Sequence, residues 1–159
     1  MFTTLALTLS LVALCVAVHY ELLYRLGTVV KSFGFGPRQE VVFGVMLALA
    51  AHTIEIYIFG AGYYYVLYTP DLGSFLGDAK IEDFFDCVYL SFVTYSTLGF
   101  GDIVPDGWVR FMVGMEAVTG LVLIAWTASF LYFKMQTGWG HSRDTSRTSV
   151  NEGRSSRRR

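Results

Sequence analysis

The sequence predicts an all-α integral membrane protein: three membrane-spanning helices, plus one shorter helix that enters the membrane without crossing it and leads into an irregular loop. Three observations predict this. Of the 159 residues 53% are hydrophobic and only 16% charged, a balance unlike that of an ordinary soluble domain. The apolar residues run in three blocks, Met1 to Leu26, Val41 to Leu67 and Trp108 to Phe133, each long enough to cross a hydrocarbon core of roughly 30 Å at about 20 residues per span. Charge is segregated: Asp71, Asp78, Glu82, Asp83, Asp86, Asp102 and Asp106 stand against Lys80 alone, whereas Lys134, Arg143, Arg147, Arg154, Arg157, Arg158 and Arg159 crowd the far end.

The first span is expected to end near Gly27, with Phe33-Gly34-Phe35-Gly36-Pro37 as a turn, because glycine and proline together punctuate helices. A cleaved signal peptide is the rival reading of that span, from the small residues Cys15 and Ala17, but no basic segment precedes it. The second span follows Pro37. Tyr63, Tyr64, Tyr65 and Tyr68 at its end are expected to form an aromatic belt.

Thr69-Pro70-Asp71-Leu72-Gly73 breaks the second helix, and a shorter one is expected from Asp78, as its cap, to Tyr95. Glu82 and Asp83 then suit the positive end of its dipole. Too short to cross and too apolar for water, it reads as a re-entrant half-helix. Ser96 to Asp102, with Gly99 and Gly101, cannot continue it. At membrane depth irregular backbone survives only when buried in protein or lining a watery cavity, so this loop points to a pore. Pro105 and Gly107 end it before the third span, and the Ser, Thr, Gly and Arg residues beyond Gly138 predict a disordered tail.

Short loops rich in Lys and Arg stay in the cytoplasm. That places the basic tail inside, together with the first connection, which has Arg25, Lys31 and Arg38. The N-terminus and the acidic loop are then expected outside, in a cell-membrane protein. Cys15 and Cys87 have no spacing that suggests metal or disulfide chemistry and are expected to be buried and free.

Thr94-Tyr95-Ser96-Thr97-Leu98-Gly99-Phe100-Gly101-Asp102, followed by Pro105, resembles the signature of the potassium channel superfamily, whose common filter core reads TVGYG. Leu98 and Phe100 replace its Val and Tyr, as in the second pore loops of two-pore-domain channels. The resemblance covers about Asp83 to Phe133. It divides the chain into a first helix and cytoplasmic turn (1–36), a pore module of outer helix, pore helix, filter and inner helix (37–135), and a basic cytoplasmic tail (136–159).

The resemblance implies a homotetramer that conducts K+ passively, neither an enzyme nor a user of cofactors beyond the permeant ion. The K+ ligands it implies are the carbonyls of Thr97, Leu98, Gly99 and Phe100 and the Thr97 hydroxyl. Gly99 and Gly101 supply backbone angles that a Cβ opposes, and Asp102 concentrates cations at the outer mouth. Leu98 and Phe100 are expected to wedge against the pore helix, with Tyr89 and Tyr95 as aromatic support and Thr94 beside them. Gly120 falls where the family places a hinge, with Gly114 as the alternative and close packing as the plainer reading of both. Phe100 lacks the hydroxyl of tyrosine, so a weakly selective monovalent cation channel is the nearer rival. The Gly34-Phe35-Gly36 copy lacks a preceding Thr pair and carries no such meaning.

Ionisable groups inside spans are costly and are usually paired or functional. His52 and Glu55 lie at i,i+3 on one helix face, where His19 or Arg25 of the first span can meet them. A buried pair docking the two spans is the favoured reading, and a proton sensor the sharper one. Glu116 is expected to bond Thr94 or Tyr95, or to pair with Arg110. A metal-binding membrane protein is the rival from another class, weakened because the His-x-x-Glu pair has no second copy; a non-conducting accessory subunit is another. No voltage sensor is written in the first two spans. Lipids, including anionic headgroups at the basic tail, are the other expected partners, and nucleic acid is not one.

Overall fold

In this computed structural model, which describes the backbone of residues 1–32 and 36–156, helices occupy the stretches that lack breakers. Helix α1 spans Phe2–Ser32, α2 Pro37–Leu67, α3 Phe84–Tyr95 and α4 Val109–Ser156. Three of them contain stretches long and apolar enough to cross a membrane, at Phe2–Leu26, Arg38–Leu67 and Val109–Gln136. The protein is thus a mostly helical membrane protein with three candidate spans.

Helix α1 continues past Gly27, where the first span is expected to end, to Ser32. A single glycine costs a helix about 1 kcal/mol relative to Ala, too little to stop elongation. Helix α2 starts at Pro37, whose fixed φ suits a first helical position. The Gln39 side chain accepts from Gly36 N–H at 3.1 Å there. Of the second Gly-Phe-Gly copy, Gly34 and Phe35 lie outside the described residues.

Between α2 and α3 the chain differs from the all-α expectation. After a 3-10 turn at Pro70–Leu72, strand β1 (Ser74–Gly77) pairs antiparallel with β2 (Ile103–Asp106), Ser74 facing Asp106 and Gly77 facing Ile103. This ribbon carries the chain in extended form past Asp78, and Ala79 N–H donates to the Asp102 carbonyl at 3.2 Å. Asp78 is therefore not the cap of α3. That role falls to Asp83, whose side chain accepts from Asp86 N–H at 3.0 Å while Asp86 accepts from Asp83 N–H at 3.1 Å. Such a reciprocal box satisfies two otherwise orphaned donors.

Helix α3 has 12 residues, about 18 Å at 1.5 Å per residue, well short of a span. It packs between α2 and α4, burying Cys87, Leu90, Ser91 and Thr94 against Phe59 and Met112. Gly60 permits the close approach to α2, since a Cβ there would meet Val88 Cγ2 at 2.9 Å. Cys15 and Cys87 are buried and free, and burial pushes the Cys87 thiol up to about 11.

Two further expectations are corrected. Tyr63 is fully buried among α3 and α4 rather than part of a belt, leaving Tyr64, Tyr65 and Tyr68 exposed. Helix α4 runs on to Ser156, beyond the Gly138 boundary at which composition predicts disorder. Extending an existing helix adds one bond per residue without a new nucleus. The basic side chains of the tail lie outside the described residues.

Candidate functional site

Helix α3 stops in a defined way. Thr97 N–H donates to the Thr94 carbonyl at 2.9 Å and Leu98 N–H to the Val93 carbonyl at 2.9 Å. These are the two bonds of a Schellman motif, with Ser96 as C-cap and Thr97 in the left-handed position that glycine usually fills. Thr97 has φ +57°, and it is the one non-glycine residue with positive φ among those described. A β-branched residue held there stores about 1–3 kcal/mol, a cost that collects at functional sites.

Gly99 (φ +56°) and Gly101 (φ +78°) follow, with Leu98 and Phe100 on the negative side between them. In an ordinary strand successive residues face opposite sides. Switching every second residue to the left-handed region cancels that alternation and turns successive carbonyls toward one side. Space does not demand the glycines, because a Cβ at either position meets nothing within 4 Å; conformation does.

The loop is clamped beyond Gly101 as well. Tyr89 OH donates to Asp102 Oδ2 at 2.7 Å, and the Asp102 carbonyl takes the Ala79 N–H. That hydrogen bond pushes the Tyr89 phenol above its ordinary value, so it remains a donor. Residues 97–101 are thus strung between a helix cap and a tethered aspartate. Their side chains do not wedge behind the helix as expected: Leu98 is 59% and Phe100 65% exposed, while Tyr89 is engaged with Asp102 and Tyr95 is turned away toward α2.

Tyr95 reaches a buried polar seam. Its hydroxyl donates to Glu55 Oε2 and lies 2.9 Å from His52 Nδ1. Glu55 faces His19 Nδ1 at 2.8 Å and His52 Nδ1 at 3.1 Å, so the structure unites His52 and Glu55 with His19. Arg25 instead meets Glu21 on the surface at 2.5 Å. Thr127 Oγ1 of α4 stands 3.1 Å from His19 Nε2 and 3.3 Å from His52 Nε2.

Glu116, also fully buried, takes partners other than those expected. It accepts from Ser91 Oγ of α3 and Tyr63 OH of α2, and Ser91 Oγ also lies 2.8 Å from the Ile56 carbonyl. Neither Arg110 nor Tyr95 is its partner; the Thr94 carbonyl accepts from Thr97 N–H, and the Thr94 side chain bonds Tyr63 instead. Among the described residues Thr4 Oγ1 is the buried side-chain polar atom without a hydrogen-bond partner, so every buried polar side-chain atom of the seam has a neighbour within hydrogen-bond distance.

Gly120 is a contact residue here. A Cβ on it would collide with the Tyr95 carbonyl and meet its ring at 3.0 Å, whereas one on Gly114 would meet nothing within 4 Å. Sequence reasoning missed Thr127, Tyr63 and Ser91. The signal was present in α4, where Glu116, Gly120, Leu123 and Thr127 recur at helical spacing along one face.

No curated protein and no solved structure matches this chain. The profile of the family described as "Ion channel" matches residues 51–136, from the middle of α2 through α3, the clamped loop and the apolar part of α4. Because that match covers more than half of the chain and takes in every element just described around the loop, the protein belongs to the ion channel family.

Proposed function

We propose that four copies of this chain surround one axis and form a potassium-selective channel, with the carbonyls of Thr97, Leu98, Gly99 and Phe100 and the Thr97 hydroxyl as ion ligands. The observation that carries this reading is the loop of alternating backbone handedness, clamped at both ends yet uncovered by its own chain. Irregular backbone at membrane depth requires protein or water around it. Further copies supply the protein, and an axial file of ions and water supplies the rest.

The uncovered surface supports the assembly. Phe85, Tyr89 and Phe92 form an exposed stripe on α3, and Phe111, Val118, Leu121 and Val122 form another on α4. Both flank the loop, as subunit contacts would. In this reading α3 is the re-entrant pore helix, its C-terminal partial negative charge aimed at the cavity. Asp102 gathers cations at the outer mouth. The N-terminus lies outside the cell membrane and the C-terminal tail in the cytoplasm, where its basic residues meet anionic headgroups. Gly120 lets α4 rest on the end of the pore helix, and a bend there would lift α4 from the Tyr95 carbonyl, which makes it the gating hinge of this reading.

A second reading has one observation in its favour. Phe100 has no hydroxyl, and the nearby phenols of Tyr89 and Tyr95 are committed to Asp102 and Glu55. A filter held only at its ends could pass Na+ as well. Reconstituted protein under opposed K+ and Na+ gradients decides: a reversal potential near the K+ equilibrium value supports the proposal, a value near zero supports the weakly selective channel, and no flux removes both.

A further inference from the structure

The seam behind the filter has a proton count that its geometry fixes. Five hydrogen-bonded contacts close a ring through all four helices: His19 Nδ1 to Glu55 Oε1, Tyr95 OH to Glu55 Oε2, His52 Nδ1 to the neighbouring Glu55 and Tyr95 oxygens together, and Thr127 Oγ1 to the Nε2 of each histidine. Each contact needs one proton, the His52 Nδ1 contact being a single N–H shared between two oxygens. Tyr95 and Thr127 supply one each, and each neutral imidazole supplies one. With Glu55 ionised the ring is therefore one proton short.

A fifth proton completes it. On a histidine nitrogen it makes an imidazolium beside the Glu55 carboxylate; on Glu55 it leaves two neutral imidazoles. Both arrangements fill all five contacts and bring the net charge of the ring to zero. Without it, two lone pairs face each other across one contact, and a net negative charge stays in an interior where His19 and Glu55 are fully buried. Unpaired buried charge and unmade buried hydrogen bonds are both costly. The other titratable groups that face the ring are Cys15 of α1, whose Sγ lies 3.8 Å from the Glu55 carbonyl, and Glu116 of α4. Neither brings positive charge. Trp126 covers His19, ring centroids 5.4 Å apart.

His52 is the ring histidine with some exposure, and it lines a lateral pocket of about 480 Å³ together with Phe92, Tyr95, Ser96, Ile124 and Thr127. Loss of the proton from His52 Nδ1 sets an imidazole lone pair against the Tyr95 oxygen 2.9 Å away. Tyr95 is the last residue of α3, and the strained Thr97 follows two positions later.

We infer that His19, His52, Glu55, Thr127 and Tyr95 form a buried binding site for one shared proton, and that its occupancy sets how firmly the end of the pore helix holds the filter. The coupling to the filter rests on the channel reading above; the proton site does not. The hydrogen-bond distances favour a proton over a metal ion, because every ring nitrogen and carboxylate oxygen is already directed at another member of the ring.

The full chain in proteoliposomes, labelled with 15N-histidine, tests both parts. Histidine nitrogen shifts and the Glu55 carboxyl infrared band are expected to change together at one pH midpoint as a single proton leaves. Glu55→Gln is expected to abolish that shared step, and His52→Gln, at the least buried member, to move its midpoint if the first variant does not fold. Separate midpoints for the two histidines, or tight stoichiometric zinc in the purified protein, would overturn the proton site. Potassium flux is expected to fall on the order of tenfold on the alkaline side of the midpoint. Tyr95→Phe removes one contact and one proton from the ring, so it is expected to leave a single shared step at a shifted midpoint and to lose that fall. Flux that is flat through the midpoint overturns the coupling; a shared midpoint with no flux at any pH upholds the proton site and sinks the channel reading.

Discussion

The clamped loop and the polar seam beside it treat polar groups in opposite ways. In the loop the polar groups belong to a backbone of alternating handedness that the chain's own side chains leave open. In the seam they are side chains, buried and paired across helices, with Glu55 and Glu116 each tying α3 to other helices. The loop is poised to exchange partners and the seam is closed. An ion pathway needs that division, because groups that must release an ion quickly cannot also hold the fold together. The helix end at Tyr95 joins the two regions: its carbonyl touches α4 at Gly120, its hydroxyl enters the seam, and its next neighbours begin the loop.

The largest effect is expected from breaking the loop alone. Gly99→Ala forces a Cβ into a left-handed residue at about 1–2 kcal/mol, yet the methyl meets nothing within 4 Å. The fold should survive, so helicity and oligomer mass stay unchanged while flux falls to background. Retained flux would show that the alternating backbone is not the conducting element.

Gly120→Val tests the junction next. A side chain there has to displace the Tyr95 carbonyl, and overpacking of this kind typically costs about 1–3 kcal/mol. Thermal unfolding in detergent should move to lower temperature, whereas Gly114→Ala, which faces open space, should leave it in place.

These two glycines mark how much the sequence made legible. The three spans, the short helix ending at Tyr95 and the glycine positions of the loop were readable, because span length and breaker residues are local properties. The His52 and Glu55 pairing was readable as a need for partners, since a membrane interior leaves few alternatives. Of their actual partners, His19 was readable as one of two candidates beside Arg25, whereas Thr127 and Tyr95 were not. Which helix faces bring His19, Thr127 and Tyr95 together depends on packing, and so does the choice of Ser91 and Tyr63 over Arg110 for Glu116. The ribbon of β1 and β2 was missed because Ser74–Gly77 and Ile103–Asp106 are short, far apart in sequence and interrupted by Pro105. That pairing also moved the cap of α3 from Asp78 to Asp83.

Smaller effects are expected within the seam and at its edge. Glu116→Gln keeps the shape but replaces one acceptor with a donor opposite two hydroxyls, at a cost of about 1–3 kcal/mol. A double-mutant cycle with Tyr63→Phe should show strong non-additivity in thermal stability. Tyr89→Phe removes a single exposed bond to Asp102 and should change stability least, while, in the proposed channel, shifting the K+ over Na+ preference through the loosened Asp102 end of the loop, read from reversal potentials.

The central claim is that the clamped loop, repeated around an axis, selects potassium. Its most direct test is the reversal potential of the reconstituted full-length protein with K+ on one side and Na+ on the other: a value close to the K+ equilibrium potential, lost in Gly99→Ala, is the predicted result, and a current that reverses near zero or never appears would contradict it.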